Sequence, residues 1–358
     1  MLSVFRNKVF VVAFYLFCSA FVFGMWVWGA DSPYTSFNGD PRSTLTDLLH
    51  GTAHKPFVER MLVPLLTRGI YALAPEDGWN QLRASLLEIP KVQKETLRLG
   101  WETHYLPEYL IALTLVFGAL VGFTFVCRAF FSTLYLTDQA TRNALPIGAL
   151  LSLPPFFHVG THYIYDFPAL LFFTMGLLFM VQKRWSPYYL VYLGGCLNKE
   201  TMVILTVAFL LLFHQRMKRR TMVLHVGAQV AVFAVTKAIV MYHFAPNPGH
   251  SFELHIFRNI HYLLLPYTVI TLLVGVIIIA LVFYDFRQKH FVLQRTTWLI
   301  VPFGVLMILF GLVDEVRTLY EIFPIYFLLI AHTVLFSFLR LPYRLRSVPG
   351  SDRGNNAE

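Results

Sequence analysis

Four ionisable residues, Asp314, Glu315, Arg317 and Glu321, stand in GLVDEVRTLYEIFP (311–324) between the apolar runs VPFGVLMILF and IYFLLIAHTVLFSFL. An ionisable side chain at the centre of a bilayer costs about 2.5–3.5 kcal/mol on insertion scales, so a chemical task or a compensating partner must keep it there. On an α-helix Asp314, Arg317 and Glu321 share one face at i, i+3 and i+7. That spacing predicts Arg317 held between two carboxylates while its guanidinium fork faces a phosphate. The same charges also suit an ion-pair lock between two helices, since buried charges need partners.

Three further stretches carry candidate chemistry. In GGCLNKETMVIL, Asn198, Lys199 and Glu200 join two apolar runs; Lys199 suits a phosphate on a lipid carrier, with Glu200 orienting it. The bland reading is a Lys199–Glu200 neighbour pair capping a turn. In HVGTHYIYDFPALLFF, His158 and His162 have the His-x3-His spacing of a metal pair, but Gly160 lies between them and no HExxH pattern exists. Asp166, with Pro168 just inside, fits a helix N-cap, a role compatible with a site role. In WGADSPYTSFNGD, Asp31 follows the first apolar run with Tyr34 three residues on, and Asp40 is a second acid. A carboxylate partly desolvated at an interface is a suitable general base, and a solvated loop acid is the alternative.

The elements that must position these groups are set by composition. Of 358 residues, 56% are hydrophobic and 14% charged, with 34 Phe; soluble chains carry about 25% charged residues. The chain reads as an all-α polytopic bundle. The net charge of +9 does not indicate nucleic acid, because Lys and Arg cluster beside apolar runs. Cys18, Cys127 and Cys196 lie in or beside apolar segments with no CxxC spacing, so no disulfide framework is implied.

Hydropathy predicts about ten spans, near 9–29, 106–127, 141–157, 167–182, 186–198, 201–214, 221–242, 263–284, 297–313 and 322–339. Arg6, Lys8, Arg128, Lys183, Arg184, the run 216–220, Arg287, Lys289, Arg295, Arg340, Arg344 and Arg346 then fall at one set of ends, cytoplasmic by the positive-inside rule. Residues 1–340 read as one transmembrane domain and 341–358 as a disordered cytoplasmic tail. The 30–105 segment reads as a long first extracytoplasmic loop with surface helices. Within it Phe57, Met61, Leu62, Leu65 and Leu66 recur at helical spacing, leaving Glu59, Arg60 and Arg68 to the polar side. Nearly every unusual polar residue lands on the extracytoplasmic side, with Lys237 the chief mid-span exception. The convergence describes a polar cavity at the outer leaflet, where Lys199 and Arg317 attract anionic lipid-linked groups.

The pattern resembles the GT-C superfamily of integral-membrane glycosyltransferases, which use polyprenyl-phosphate-linked sugars. The resemblance is carried by ADSPY after the first span, HKPFVERMLVPLL, YDFPALLFFTMGLLFM followed by NKET, and DEVRTLYEIFP. It implies a catalytic base or metal-associated carboxylate at Asp31, with Asp40 as substitute, and phosphate-binding cations at Lys199, Arg317 and Arg60. No Asp-x-Asp stands at that position, which leaves the implied divalent metal open. Tyr34, His162, Asp166, Asn198, Glu200, Asp314 and Glu321 complete the expected substrate site. The expected partners are the lipid-linked donor, membrane lipids and a glycan, lipid or protein acceptor, and the expected location is a bacterial inner membrane. Two other classes fit parts of the pattern. A transporter or flippase for an anionic substrate would spread polar groups along a path through the bilayer. A membrane acyltransferase would need a deep histidine such as His214 or His332.

Overall fold

In the computed structural model, residues 7–28, 41–157, 162–264, 269–313 and 315–347 are described. They form a helical fold with one two-residue strand pair. The helices are α1 (Lys8–Trp28), α2 (Leu45–His50), α3 (Leu62–Tyr71), α4 (Glu76–Leu87), α5 (Pro90–Arg98), α6 (Leu106–Leu134), α7 (Gln139–Leu151), α8 (Pro154–Phe157), α9 (Asp166–Val181), α10 (Trp185–Asn198), α11 (Ile204–Phe213), α12 (Arg219–His243), α13 (Ile256–Leu263), α14 (Val269–Phe283), α15 (Phe291–Thr296), α16 (Ile300–Phe310) and α17 (Phe323–His332). Strands β1 (Tyr135–Leu136) and β2 (Arg344–Leu345) pair antiparallel. Segment 341–347, which the sequence assigns to the tail, thus begins pinned to the end of α6, and the Arg346 amide donates to the Leu134 carbonyl at 3.0 Å.

Each of the ten apolar stretches contains helix, but among the described residues four helical segments are long and apolar enough to cross a membrane: Lys8–Trp28, Thr103–Leu134, Arg219–His243 and Phe291–Phe310. The predicted span 141–157 divides into α7 and α8, because Pro154 and Pro155 cannot donate the amide bonds that would continue α7. The start of the predicted span 201–214 is a tighter 3-10 turn, Glu200–Val203. The last apolar helix, α17, runs into a π-helical segment, Thr333–Phe338.

Helix α6 lies at the centre, packed against α1, α3, α7 and α9, while α10 bridges α9 and α12. The core is aromatic and aliphatic, with Trp26, Tyr109, Phe123, Phe131, Phe167 and Tyr192 fully enclosed. On α12 and α14 the relation reverses: Val235, Ile239, Ile270, Leu273 and Ile277 face outward. Outward apolar side chains on long apolar helices suit hydrocarbon as the surrounding medium.

The long loop folds back on the bundle. Thr44 caps α2 by accepting from the Asp47 amide at 3.1 Å, and Gly51, at φ 75°, ends it. Lys55 pairs with Gly249, whose φ is 88° and where a Cβ would lie 2.7 Å from the Lys55 carbonyl oxygen. Only glycine fits that approach. The predicted surface helix from Phe57 is shorter than expected. Phe57–Glu59 is a 3-10 turn and α3 begins at Leu62, so Phe57 and Leu62 are buried while Leu65 and Leu66 are exposed. Glu59 is buried rather than turned to solvent.

Candidate functional site

The site is built on the entrance to α9. Tyr163 and Tyr165 stack at 5.0 Å between ring centres, and Phe57 stacks on Tyr163 at 5.5 Å. Two guanidinium groups cover this aromatic pair: Arg60 lies 4.4 Å from the Tyr165 ring centre and Arg317 4.4 Å from that of Tyr163. Cations over aromatic faces gain quadrupole attraction, more so when desolvated. The loop after α2 supplies Arg60 and the turn before α17 supplies Arg317, so the tyrosines tie two distant segments to one helix entrance.

Carboxylates complete the charge balance. Arg60 forms a fork with Glu200, Nη2 donating to Oε1 at 2.6 Å and Nε to Oε2 at 3.3 Å, and also donates to the Tyr165 hydroxyl. Lys199 contacts Glu321 at 2.7 Å, and Thr201 donates to the same carboxylate at 2.5 Å. Arg317 meets Asp166 at 3.3 Å and pairs with Glu315. Lys237, from within α12, sits 3.8 Å from Glu200. Burial pulls both arginines toward deprotonation; the Glu200 carboxylate for Arg60, and Glu315 with Asp166 for Arg317, more than offset it, so both pKa values end above the ordinary guanidinium value.

These partners differ from those the spacing predicts. Val316–Tyr320 is a 3-10 helix, in which residues four apart are displaced by about 120° rather than aligned. Arg317 and Glu321 therefore diverge, one to Asp166 and the other to Lys199. Asp314 lies outside the described residues. The Lys199–Glu200 neighbour pair is also replaced: extended backbone at Lys199, with φ −160° and ψ 141°, separates the two side chains. Asp166 is the first residue of α9 rather than its cap, and its Oδ2 accepts the Tyr163 amide at 3.0 Å. Arg60 does not face solvent as an amphipathic surface helix would require; it turns inward to Glu200.

Asn198 donates to the Tyr165 carbonyl at 2.9 Å, holding the end of α10 against the entrance to α9. Its Oδ1 and the Oε2 of Glu321 are buried without a hydrogen-bond partner among the described residues. His162 is buried, stacks on Trp26 at 5.5 Å and approaches the Phe157 carbonyl at 2.6 Å through Nε2. Burial pushes its pKa below the ordinary histidine value. His158 lies outside the described residues, as do Asp31, Tyr34 and Asp40, so the metal pair and the proposed bases have no geometry here. Among the described residues no three His, Cys, Asp or Glu side chains gather as a metal-binding group.

The structure brings Arg60, Asp166, Asn198, Lys199, Glu200, Arg317 and Glu321 to one end of the bundle. It adds Lys237, Glu315 and Tyr165, which the sequence shows as charged or aromatic without indicating their partners. A cation isolated on an apolar helix was the signal for Lys237. Asn259 on α13 shapes the same region from outside: its Nδ2 donates to Ile308 and Gly311 at 2.8 Å each, and its Oδ1 accepts the Val313 amide at 3.0 Å. It thereby fixes the chain leaving α16 toward Glu315 and Arg317. Fold and site define an all-α protein with apolar helices long enough for a membrane and a dense ion-pair cluster at one end. No protein-family model, curated protein or solved structure matches the chain.

Proposed function

We propose that this protein transfers a sugar from a polyprenyl-phosphate-linked donor to an acceptor hydroxyl at the extracytoplasmic face of a bacterial inner membrane. The observation that supports this most is the gathering of Arg60, Lys199, Lys237 and Arg317 with four carboxylates where the long first loop meets three helix junctions. That loop also carries Asp31 and Asp40. In the proposed reaction Asp31, or Asp40, takes the acceptor proton as its oxygen attacks the anomeric carbon. The bond from that carbon to the lipid phosphate breaks, and the electron pair leaves with the phosphate, where nearby cations stabilise it. One displacement inverts the anomeric carbon. Glu200 is a poor alternative base, since the Arg60 fork already occupies its carboxylate.

The test is turnover of a panel of polyprenyl-phosphate sugars by protein in nanodiscs, with Asp31→Asn and Arg317→Lys as variants. Release of polyprenyl phosphate by the wild type, lowered 100-fold or more in folded Asp31→Asn, is expected for general-base loss. If no donor is consumed while a lipid-linked substrate crosses proteoliposome membranes, the protein is a transporter and the catalytic roles fall.

A further inference from the structure

The cations of the cluster are not equivalent. Arg60 uses three of its donors on Glu200 and Tyr165. The Lys199 ammonium is in close contact with Glu321, a carboxylate with no solvent exposure. Arg317 is shared by Asp166 and Glu315. Lys237 is different: its charge pairs with Glu200 at 3.8 Å, beyond hydrogen-bond length, and no hydrogen bond is made by its ammonium among the described residues. Its side chain is 12% exposed, whereas Glu200 beside it keeps 39% of its side chain accessible. An ammonium carries three donors and is costly to enclose without acceptors.

Position and charge specify what completes it. Lys237 lies six residues before the end of α12, about 9 Å down the helix at 1.5 Å per residue. Val235 and Ile239, two residues to either side of it, face outward, so Lys237 lies on the opposite, inward face of the helix, with the buried Thr236 and Val240. Arg60, Glu200 and Lys237 comprise two cations and one carboxylate, a net of one positive charge. Lys199 with Glu321 is neutral, and Arg317 with Asp166 and Glu315 carries a net of one negative charge. An anion therefore finds attraction and spare donors at the Arg60–Glu200–Lys237 corner.

We propose that Lys237, rather than Lys199 or Arg317, is the cation that binds the phosphate headgroup of the lipid substrate. This rests on the transfer reading for the identity of the lipid, while the anion site itself stands on geometry. The other two cations then hold helix junctions together through their carboxylates. Phosphate takes up the Lys237 donors and adds negative charge to the corner that, among the described residues, is net positive.

The experiment measures binding of polyprenyl phosphate, uncharged polyprenol and inorganic phosphate to the full chain in nanodiscs, and donor turnover on the same samples. Lys237→Gln is expected to weaken polyprenyl phosphate binding at least tenfold and leave polyprenol unchanged, with Lys237→Arg retaining most affinity. Glu200→Gln, which makes the corner more positive, is expected to tighten binding. Competition by inorganic phosphate would show that the headgroup alone is read; absence of competition, with Lys237 dependence intact, would place the lipid tail in the same site. Unchanged affinity and unchanged KM in folded Lys237→Gln would overturn the assignment while leaving sugar transfer standing. Lys237-dependent binding with no donor turnover would overturn the transfer reading and leave the anion site.

Discussion

The two ends of the bundle neutralise buried cations in opposite ways. At the α9 entrance, Arg60, Lys199 and Arg317 meet side-chain carboxylates brought from other segments. At the other end Lys289, 1% exposed, meets backbone: its Nζ donates to the carbonyls of Leu281 at 2.9 Å, Val282 at 2.7 Å and Leu329 at 2.9 Å, and to Thr333 Oγ1 at 2.8 Å. Leu281 and Val282 lie in the last turn of α14, where the carbonyls lack helical partners and the dipole favours a cation. Around it Tyr135 contacts the Nδ1 of His332 at 3.2 Å, and His290 donates to the Arg346 carbonyl at 3.0 Å. Carbonyls at a helix end cannot leave without unwinding the helix. At the first end the Lys237 ammonium makes no hydrogen bond among the described residues, which suits that end to an added anion.

The widest separation between the ends should come from Lys289→Met, which strips the donors from four oxygens. A loss of about 4 kcal/mol is expected, read by denaturant unfolding in detergent, with the proposed polyprenyl phosphate binding by the folded fraction unchanged. A loss below about 1 kcal/mol would mean that the α14 end is capped well enough without it.

The α9 entrance should show a compensating pair instead. Glu321→Leu leaves Lys199 buried alone and should cost about 3 kcal/mol, whereas Lys199→Met with Glu321→Leu should recover most of it. Additive losses in that cycle would show that the two side chains do not act as a lock.

The smallest effect belongs to Asp138, the cap of α7 at the second end, whose carboxylate accepts from Ala140 and Thr141 amides at 2.8 and 3.0 Å. Partial burial raises its pKa, but the Thr141 hydroxyl and these amides lower it more, for a net decrease below 3.8. Its contribution is therefore complete above the unfolded value and fades as pH falls through the folded one. Asp138→Ala should cost about 1 kcal/mol at neutral pH and less at pH 3. An equal cost at both values would show that the cap does not act through its ionised form.

Much of the site was legible as location and little as connection. Arg60, Asp166, Asn198, Lys199, Glu200, Arg317 and Glu321 stand out because each interrupts or borders an apolar run. Their pairing was not legible, because Arg60 and Glu200 lie 140 residues apart and Asp166 and Arg317 151 apart. Local periodicity also misled where the backbone tightened, as at Arg317 and Glu321. Lys289 reads in sequence as one more cytoplasmic cation; nothing in its neighbours announces three carbonyls from two other helices.

What the sequence by itself determined is the helical character and the apolar faces. Backbone bonding in a helix is satisfied within each segment, and runs of apolar residues state their own preference for hydrocarbon or core. Only the tertiary structure decided which cation meets which carboxylate, and which ammonium makes no hydrogen bond among the described residues. Those choices depend on where distant helix ends arrive in space, to within the length of a side chain.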